Sequence, residues 1–389
     1  MTQDFEHMLR LFGAGALGYE IDKIENINIE KIRSLAIEQG IWHTVYAYMV
    51  KQYDMSAYQK EFLATVTSAL QRREYTLGII AGLEKIGIKC CLIKGVVIAQ
   101  LYAQPDCRVS GDTDILINPD DEEKVKTYLI QKGYSVEKRE KNDHHMKAYH
   151  PIGGLLEVHV RLYSILTERL IFNNIVLYNE EWRIVEINNN KLYTLGINDG
   201  LLYLTAHYIK HLVNEGGGVR QMMDLLLYME YYRDSIDFNR YNDIMKKLRY
   251  DKLVDVIKTV GAKYWNMDYS ITDESLAEEI LSDSEKGGIF GFETKERNGF
   301  YDTYCRRRHK GSVGVKVILN TKKETSLMGK IFPNRYSMME RGYTHVDNIS
   351  GLFAAWVLRL FKILLRKNSK DKPDTSQRLK LMRDLNMID

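Results

Sequence analysis

The segment Cys90–Ile117, CCLIKGVVIAQLYAQPDCRVSGDTDILI, constrains the fold of this 389-residue chain more than any other. Residues Ile88–Ile93 form an apolar run bounded by glycines and too short for a helix, which reads as a buried strand. Val96–Tyr102 is a short helical piece that Pro105 ends. From Asp112 to Ile117 the residues alternate: Thr113, Ile115 and Ile117 take one face, Asp112 and Asp114 the other. Carboxylates two residues apart on a strand project the same way, roughly 6–7 Å apart. That spacing suits one or two hard metal ions. A DxD pair alone is common, and Gly111-Asp112 is also ordinary turn chemistry. Here, however, the pair opens an apolar strand and does not sit inside a loop.

Residues 1–80 read as helical, with Leu9, Leu11 and Phe12, then Ile32, Leu35, Ala36, Ile41 and Val45, at three-to-four spacing. His43 among them reads as a core or surface histidine. Phe62–Ile86 continues as one long helix that stops near Gly87. Beyond the DxD strand, Pro119 followed by four acids starts a helix that runs to about Lys132. Further strands are expected at Tyr134–Lys138, His144–His150 and Leu155–Tyr163, the last two joined by a hairpin at Pro151-Ile152-Gly153-Gly154. In the last strand, Leu156, Val158, Val160 and Leu162 share one face, and Glu157, His159 and Arg161 share the other.

Alternating strands and helices from about 81 to 165 argue a mixed sheet, and helical regions flank it on both sides, so the fold class is α+β. The expected division is an N-terminal helical region at 1–80, a catalytic mixed-sheet domain at 81–190, a helical domain walling the cleft at 191–300, and a C-terminal region at 301–389. In that last region, order resumes at 315–319 and a helix is expected near 351–366. Residues 267–310 are polar with few periodic signals, and the charged tail at 367–389 is expected to fray or be disordered.

Composition excludes several classes. Basic and acidic residues number 55 and 52, net +3, so charge alone leaves no nucleic-acid footprint. Four cysteines with no CxxC pair argue against a zinc ribbon or disulfide framework and point to a reducing cytoplasm. The acidic N-terminus lacks the apolar core of a signal peptide, and no uncharged apolar run reaches the ~18 residues of a membrane span. Gly351–Leu365 comes nearest, broken by Arg359 and Lys362. The preferred reading is an amphipathic helix packed on the domain, and the alternative is an interfacial membrane contact.

Other residues gather around the DxD pair. Glu157 supplies a third carboxylate, and three convergent carboxylates are an oxygen-ligand set for Mg²⁺. Lys94-Gly95 follows a strand and opens a helix, so backbone N–H groups there approach a phosphate and Lys94 reaches its oxygens. Gly111 and Arg108 are further phosphate-side candidates, although no P-loop pattern is present. Of His144 and His145, strand alternation lets only one join the site, with His145 the candidate, and His159 lies two residues after Glu157. His207 and His211 stand at i and i+4 but lack the glutamate of a zinc protease. A polar helix face bearing His207, Lys210 and His211 is expected to turn toward the cleft. No GxSxG and no obvious Cys–His pair supports a nucleophilic hydrolase.

IKGVVIAQLYAQPDCRVSGDTDILI followed by LEVHVRL resembles the nucleotidyltransferase superfamily with the polymerase-β-like catalytic fold. It looks closest to a poorly characterised bacterial nucleotidyltransferase family with KG…R…DxDxL and a later E-x-H strand. LLYLTAHYIKHL with RQMMDLLLY, and KIFPNRYSMMERGY, are similar to that family's helical and late segments, so the likeness runs from about residue 83 to 365. The chain departs from the superfamily's G[GS] turn: Val96 follows Gly95, and sixteen residues separate Gly95 from Asp112. The resemblance implies that Asp112, Asp114 and Glu157 bind Mg²⁺, or Mn²⁺ in its place. It implies transfer of a nucleoside monophosphate from an NTP, ATP foremost, to a hydroxyl of a small molecule or protein, releasing pyrophosphate. Asp224, with the α-helical histidines and Lys210, would contact the cleft. The alternative is a non-catalytic nucleotide-binding regulator of toxin–antitoxin type on the same fold. A nucleic-acid acceptor is disfavoured by the near-neutral charge.

Overall fold

The structure is a computed structural model that describes residues 1–139, 143–164, 179–214, 216–288 and 376–389, with positions 304, 308, 353 and 356. Four helices come first: α1 (Gln3–Leu17), α2 (Ile29–Glu38), α3 (Trp42–Met49) and α4 (Ser56–Lys85). Thr2 and Asn28 cap α1 and α2, their side chains accepting from Phe5 N and Lys31 N. Gly18, at φ 79°, closes α1 with its N–H on Ala14 O, a left-handed cap that glycine takes without strain.

Seven strands follow: β1 (Cys91–Leu92), β2 (Asp112–Leu116), β3 (Ser135–Val136), β4 (His145–His150), β5 (Gly154–His159), β6 (Arg183–Ile187) and β7 (Asn190–Thr194). Short helix α5 (Val96–Ala99) joins β1 to β2, and α6 (Glu122–Gln131) joins β2 to β3. The sheet order is β3-β4-β5-β2-β1-β7-β6. β2 pairs with β5 in parallel and β1 with β7 in parallel, whereas the remaining pairs are antiparallel. The mixed sheet is therefore as expected, but it extends past the boundary placed at 190. β6 and β7 form a hairpin whose two loop residues, Asn188 and Asn189, stand at φ 50° and 61°. Asparagine tolerates this left-handed region, and consecutive positive φ values match the right-handed twist of a hairpin. The alternating run RIVEINNNKLYT carried that signal.

The sheet separates two cores. On one side α4 and α6 cover Leu92, Ile115, Leu156, Val158, Met146 and Ala148, and α4 contributes Leu77, Ile80 and Leu83. On the other side Cys91 and Ile93 enter a larger helical core. That core is built from α1–α3 together with α7 (Ile197–Asn214), α8 (Val219–Tyr231), α9 (Phe238–Lys247), α10 (Asp251–Trp265), α11 (Glu274–Gly287) and α12 (Ser376–Asp384). Trp265 is fully buried at its centre, with Nε1 donating to Leu9 O at 3.2 Å and its ring edge-on to Phe12. Gln39 bridges the two ends of the chain, donating to Ser284 O at 2.7 Å and accepting from Val219 N at 3.2 Å. Residues 1–50 thus share a core with the helices of 197–287 and are not a separate region, because the apolar faces of α1 and α3 have no other place to be buried.

Two further expectations are corrected. The polar stretch after 267 contains α11, which Asp273 caps by accepting from Leu276 N, and which buries Leu276, Ala277, Ile280 and Leu281 at helical spacing. The C-terminal tail is not frayed over 376–389: α12 buries Leu379, Leu381 and Met382, and Leu385, Met387 and Ile388 follow. Its charges split between solvent and a buried pair, with Arg378 Nε 3.0 Å from Asp283 Oδ1 and Nη2 donating to Leu212 O. The expected order at 315–319, the segment 330–343 and the helix at 351–366 lie outside the described residues, apart from positions 353 and 356. Among the described residues, no helix is long and apolar enough to cross a membrane.

Because Met382 is fully buried between α11 and the helical core, Met382→Ala is expected to lower the unfolding free energy by about 2–4 kcal/mol. Urea denaturation of the full chain measures this. A loss under ~0.5 kcal/mol would mean that the C-terminal helix does not pack.

Candidate active site

The site begins as a register. Asp114 on β2 stands directly beside Glu157 on β5, Asp112 beside Leu155, and Leu116 beside His159. Across the antiparallel pair with β4, Glu157 faces Lys147 and His159 faces His145. Strand alternation sends Ile115, Leu156, Val158 and Met146 into the α4/α6 core, so all the polar partners share the opposite face. A one-residue slip would bury the carboxylates and expose the isoleucine.

Asp114 is 2% exposed and is held by two side chains, His159 and Lys94. Nε2 of His159 donates to its Oδ1 at 3.0 Å, and the Lys94 ammonium lies 3.2 Å from Oδ2. That second contact is an ion pair without hydrogen-bond alignment, so Oδ2 is a buried acceptor with no aligned donor. Burial alone would raise the Asp114 pKa, but Lys94 and His159 outweigh it and hold the carboxylate well below its usual range. Burial would likewise lower Lys94, yet Asp114, Asp112 and Glu157 together raise it, so the ammonium stays charged. Glu157 is opposed by burial and stabilised by His159 and His145, with a net fall in pKa. Its Oε1 lies 3.8 Å from His145 Nε2, and its Oε2 3.8 Å from His159 Nε2.

Gly95 adopts φ 63°, ψ −100°, a conformation in which a Cβ is strained although space for one exists, the nearest atom being Ser110 Oγ at 3.8 Å. The glycine therefore serves the backbone path that delivers Lys94 to Asp114. Its carbonyl accepts from Arg108 Nη1 at 3.2 Å, and the same nitrogen donates to Ser110 Oγ at 3.0 Å. Gly111 and Asp112 line a groove with Gly95, Arg108 and Ser110, flanked by Arg72 and Arg73 from α4.

Arg108 and Asp224 have a role that spacing did not reveal. They form a two-point ion pair, Nε–Oδ1 2.8 Å and Nη2–Oδ2 2.6 Å, with both side chains under a tenth exposed. Tyr102 also donates to Asp224 Oδ1 at 2.8 Å. The guanidinium expected at phosphate is thus engaged within the protein, as is the aspartate expected in the cleft. A buried arginine needs a fully matched acid, and bidentate pairing supplies one. Sequence reading missed Arg220, one turn before Asp224 on α8. Its Nη1 donates to Gly40 O and Val109 O at 3.3 Å each, and it forms no direct ion pair among the described residues. Burial, with the nearby Arg108 charge, pulls its pKa down.

A second cleft is lined by Lys94, Asp114, Glu157, His159, His207 and Lys210, among others. His207 stacks on Tyr203 and meets the His211 ring at 4.5 Å, and burial keeps it neutral. His211 itself does not line this cleft. Both His144 and His145 do, contrary to the alternation argument. The reason is that His144 precedes the first residue of β4 and so escapes the pleat. Its ring lies 4.4 Å from His145 and 5.2 Å from His159, and burial with those neighbours pulls its pKa down to about 2.

Asp114, Glu157 and His159 each offer a ligand atom within 4.8 Å of the others. With Asp112 on the same face and Asp114 Oδ2 lacking an aligned donor, the carboxylates suit a hard divalent cation.

The internal ion pair generates a direct test. Asp224→Ala strands a buried guanidinium and is expected to cost about 3–5 kcal/mol, whereas Arg108→Met with Asp224→Leu recovers most of that loss. Thermal and urea unfolding of the three variants decides it. Equal destabilisation in the single and double variants would refute the pair's structural role. Gly95→Ala is expected to cost about 1–2 kcal/mol through its backbone conformation alone.

Among solved structures, the chain is similar to the lincomycin-bound lincosamide antibiotic adenylyltransferase LnuA, at 18% identity over 40% of this chain and 94% of that one, with a TM-score of 0.30. It is also similar to an antigenic nucleotidyltransferase-like protein from Paracoccidioides brasiliensis, at 13% identity over 46% and 88% with a TM-score of 0.28. A tRNA nucleotidyltransferase complexed with a primer tRNA and an incoming ATP analog aligns at 13% identity over 74% and 100%, TM-score 0.21. These superpositions are too loose to transfer any residue. No curated protein matches the chain. The model of the family described as "Uncharacterised nucleotidyltransferase" matches residues 25–264, which include the whole sheet and reach into α10. That is more than half of the chain, which therefore belongs to this nucleotidyltransferase family and is an enzyme of that class.

Proposed function

We propose that the enzyme moves a nucleoside monophosphate from an NTP, ATP foremost, to a hydroxyl of a small molecule or protein, releasing pyrophosphate. The observation that carries the reading is the pairing of Asp114 with Glu157 in parallel register, with Lys94 ion-paired to Asp114 from the turn that follows β1. Asp112, Asp114 and Glu157 would hold Mg²⁺ or Mn²⁺, which would supply positive charge to offset that of the triphosphate.

The chain's own groups do the rest. Glu157 is ionised at neutral pH and half-shielded, so it can receive the proton of the acceptor hydroxyl. The acceptor oxygen bonds to the α-phosphorus as the bond from that phosphorus to the bridging oxygen breaks, and the electron pair leaves with pyrophosphate. Lys94 remains protonated throughout and exchanges its contact with Asp114 for the phosphate oxygens. Because α5 has only four residues, the N–H groups of the Gly95 turn, not a helix dipole, would meet the phosphate. The α7 wall brings His207 and Lys210 into the cleft that Glu157 lines, on the side where we place the acceptor. A reducing cytoplasm, expected from the cysteine pattern, belongs to the same proposal.

The test is pyrophosphate release from each NTP with a panel of hydroxyl acceptors. Release should require a divalent ion and stop with a chelator. Asp114→Asn and Asp112→Asn are each expected to reduce it by about 10³-fold, the order expected for removing a preorganised charge-stabilising group. Release that survives the paired Asp112→Asn and Asp114→Asn change would sink the assignment.

A further inference from the structure

The carboxylate site leaves an adjoining group of imidazoles unexplained. His144, His145 and His159 each offer a ring nitrogen, and the three nitrogens lie within 4.8 Å of one another. The ring centres are 4.4, 5.1 and 5.2 Å apart, and Nε2 of His144 shares a 3.2 Å hydrogen bond with Nδ1 of His145, a bond that a shared cation would replace. His159 is 3% exposed; its Nε2 donates to Asp114, and its Nδ1 is buried with no hydrogen-bond partner. A buried polar atom without a partner is destabilising, and a cluster of three imidazoles is an expensive way to fill a cleft wall.

The donor chemistry is also wrong for the ion expected next door. Mg²⁺ takes oxygen ligands and keeps much of its water, whereas imidazole suits Zn²⁺, Co²⁺ and Ni²⁺. A metal-bound histidine usually donates its other ring N–H to a carboxylate, and His159 already does so to Asp114. Glu157, 3.8 Å from both His145 and His159, adds an oxygen donor. The other adjacent pair, His207 and His211, has no such third donor among the described residues.

We infer that this cleft contains a second cation site, for a borderline-soft divalent ion of the Zn²⁺ type, built from His144, His145 and His159 with Glu157. It adjoins the hard-ion carboxylates and makes the centre a mixed one, with one nitrogen-rich and one oxygen-rich position. The inference concerns binding and does not depend on the transfer reaction.

Co²⁺ titrated into the metal-free full chain, in millimolar Mg²⁺, tests it. Expected are one Co²⁺ per chain, visible absorption bands of nitrogen ligation, and displacement by Zn²⁺ but not by Mg²⁺. His144→Ala with His145→Ala should weaken Co²⁺ binding by roughly 100-fold or more. Absence of tight binding in the unmodified chain, or equal binding by the double variant, overturns the site. A second measurement needs no variant. In long-range ¹H–¹⁵N spectra of the unmodified chain, Zn²⁺ should shift the ring nitrogens of His144, His145 and His159. Shifts confined to other histidines overturn the proposal. Neither measurement involves an NTP, so failure here and failure of the transfer reaction are separate results.

Discussion

The buried ion pair between Arg108 and Asp224 joins the sheet side of this molecule to its helical side. Arg108 belongs to the loop that leads into β2, and Asp224 lies on α8, 116 residues later. The same guanidinium holds the Gly95 carbonyl and Ser110, so one side chain sets both the turn that carries Lys94 and the loop that carries Asp112. Its geometry is two-pronged and its carboxylate is shared with Tyr102, which leaves little freedom for either element to shift. Buried pairs of this kind add little net stability over an apolar substitute, but removing one partner is costly. Its consequence is positional: α8 cannot move without moving the Gly95 turn.

The polar face of the sheet depends on that arrangement and on strand period. One face of β2, β5 and β4 is committed to the α4/α6 core, and the other is left with acids, histidines and Lys147. Three carboxylates crowded on one face would repel one another. Lys94 and His159 offset this, and the same two groups hold Asp114 ionised despite its burial. A cationic charge at this position is therefore part of the folded protein before any substrate arrives. The imidazoles beyond it add neutral nitrogen donors, which extend the ligand chemistry available along the cleft.

Much of the fold was legible because its signals are local. The strand carrying Asp112 and Asp114, the helix after Pro119 and the hairpin through Gly153-Gly154 all follow from residues close in sequence. The β6–β7 hairpin was equally local in Asn188-Asn189, but a boundary drawn at 190 cut through it. The helix α11 and the tail helix α12 were hidden by charged residues on their solvent faces, since their burial depends on each other's presence. His144 was misjudged because the alternation rule holds only inside a strand, and it lies one residue before β4.

By itself the sequence determined the period-two patterns, and with them the face that bears Asp112, Asp114, Glu157 and His159. It also marked Gly95 as the turn after the first strand, although the positive φ that requires glycine there came from the structure. Tertiary structure alone decided which charges meet. Arg108 goes to Asp224, Lys94 goes to Asp114, and three histidines from two strand ends converge on one point. The physical reason is distance along the chain. Backbone preferences are set by neighbours a few residues away, whereas the partner of a buried charge is whatever packing brings within about 3 Å of it, however far away it lies in sequence.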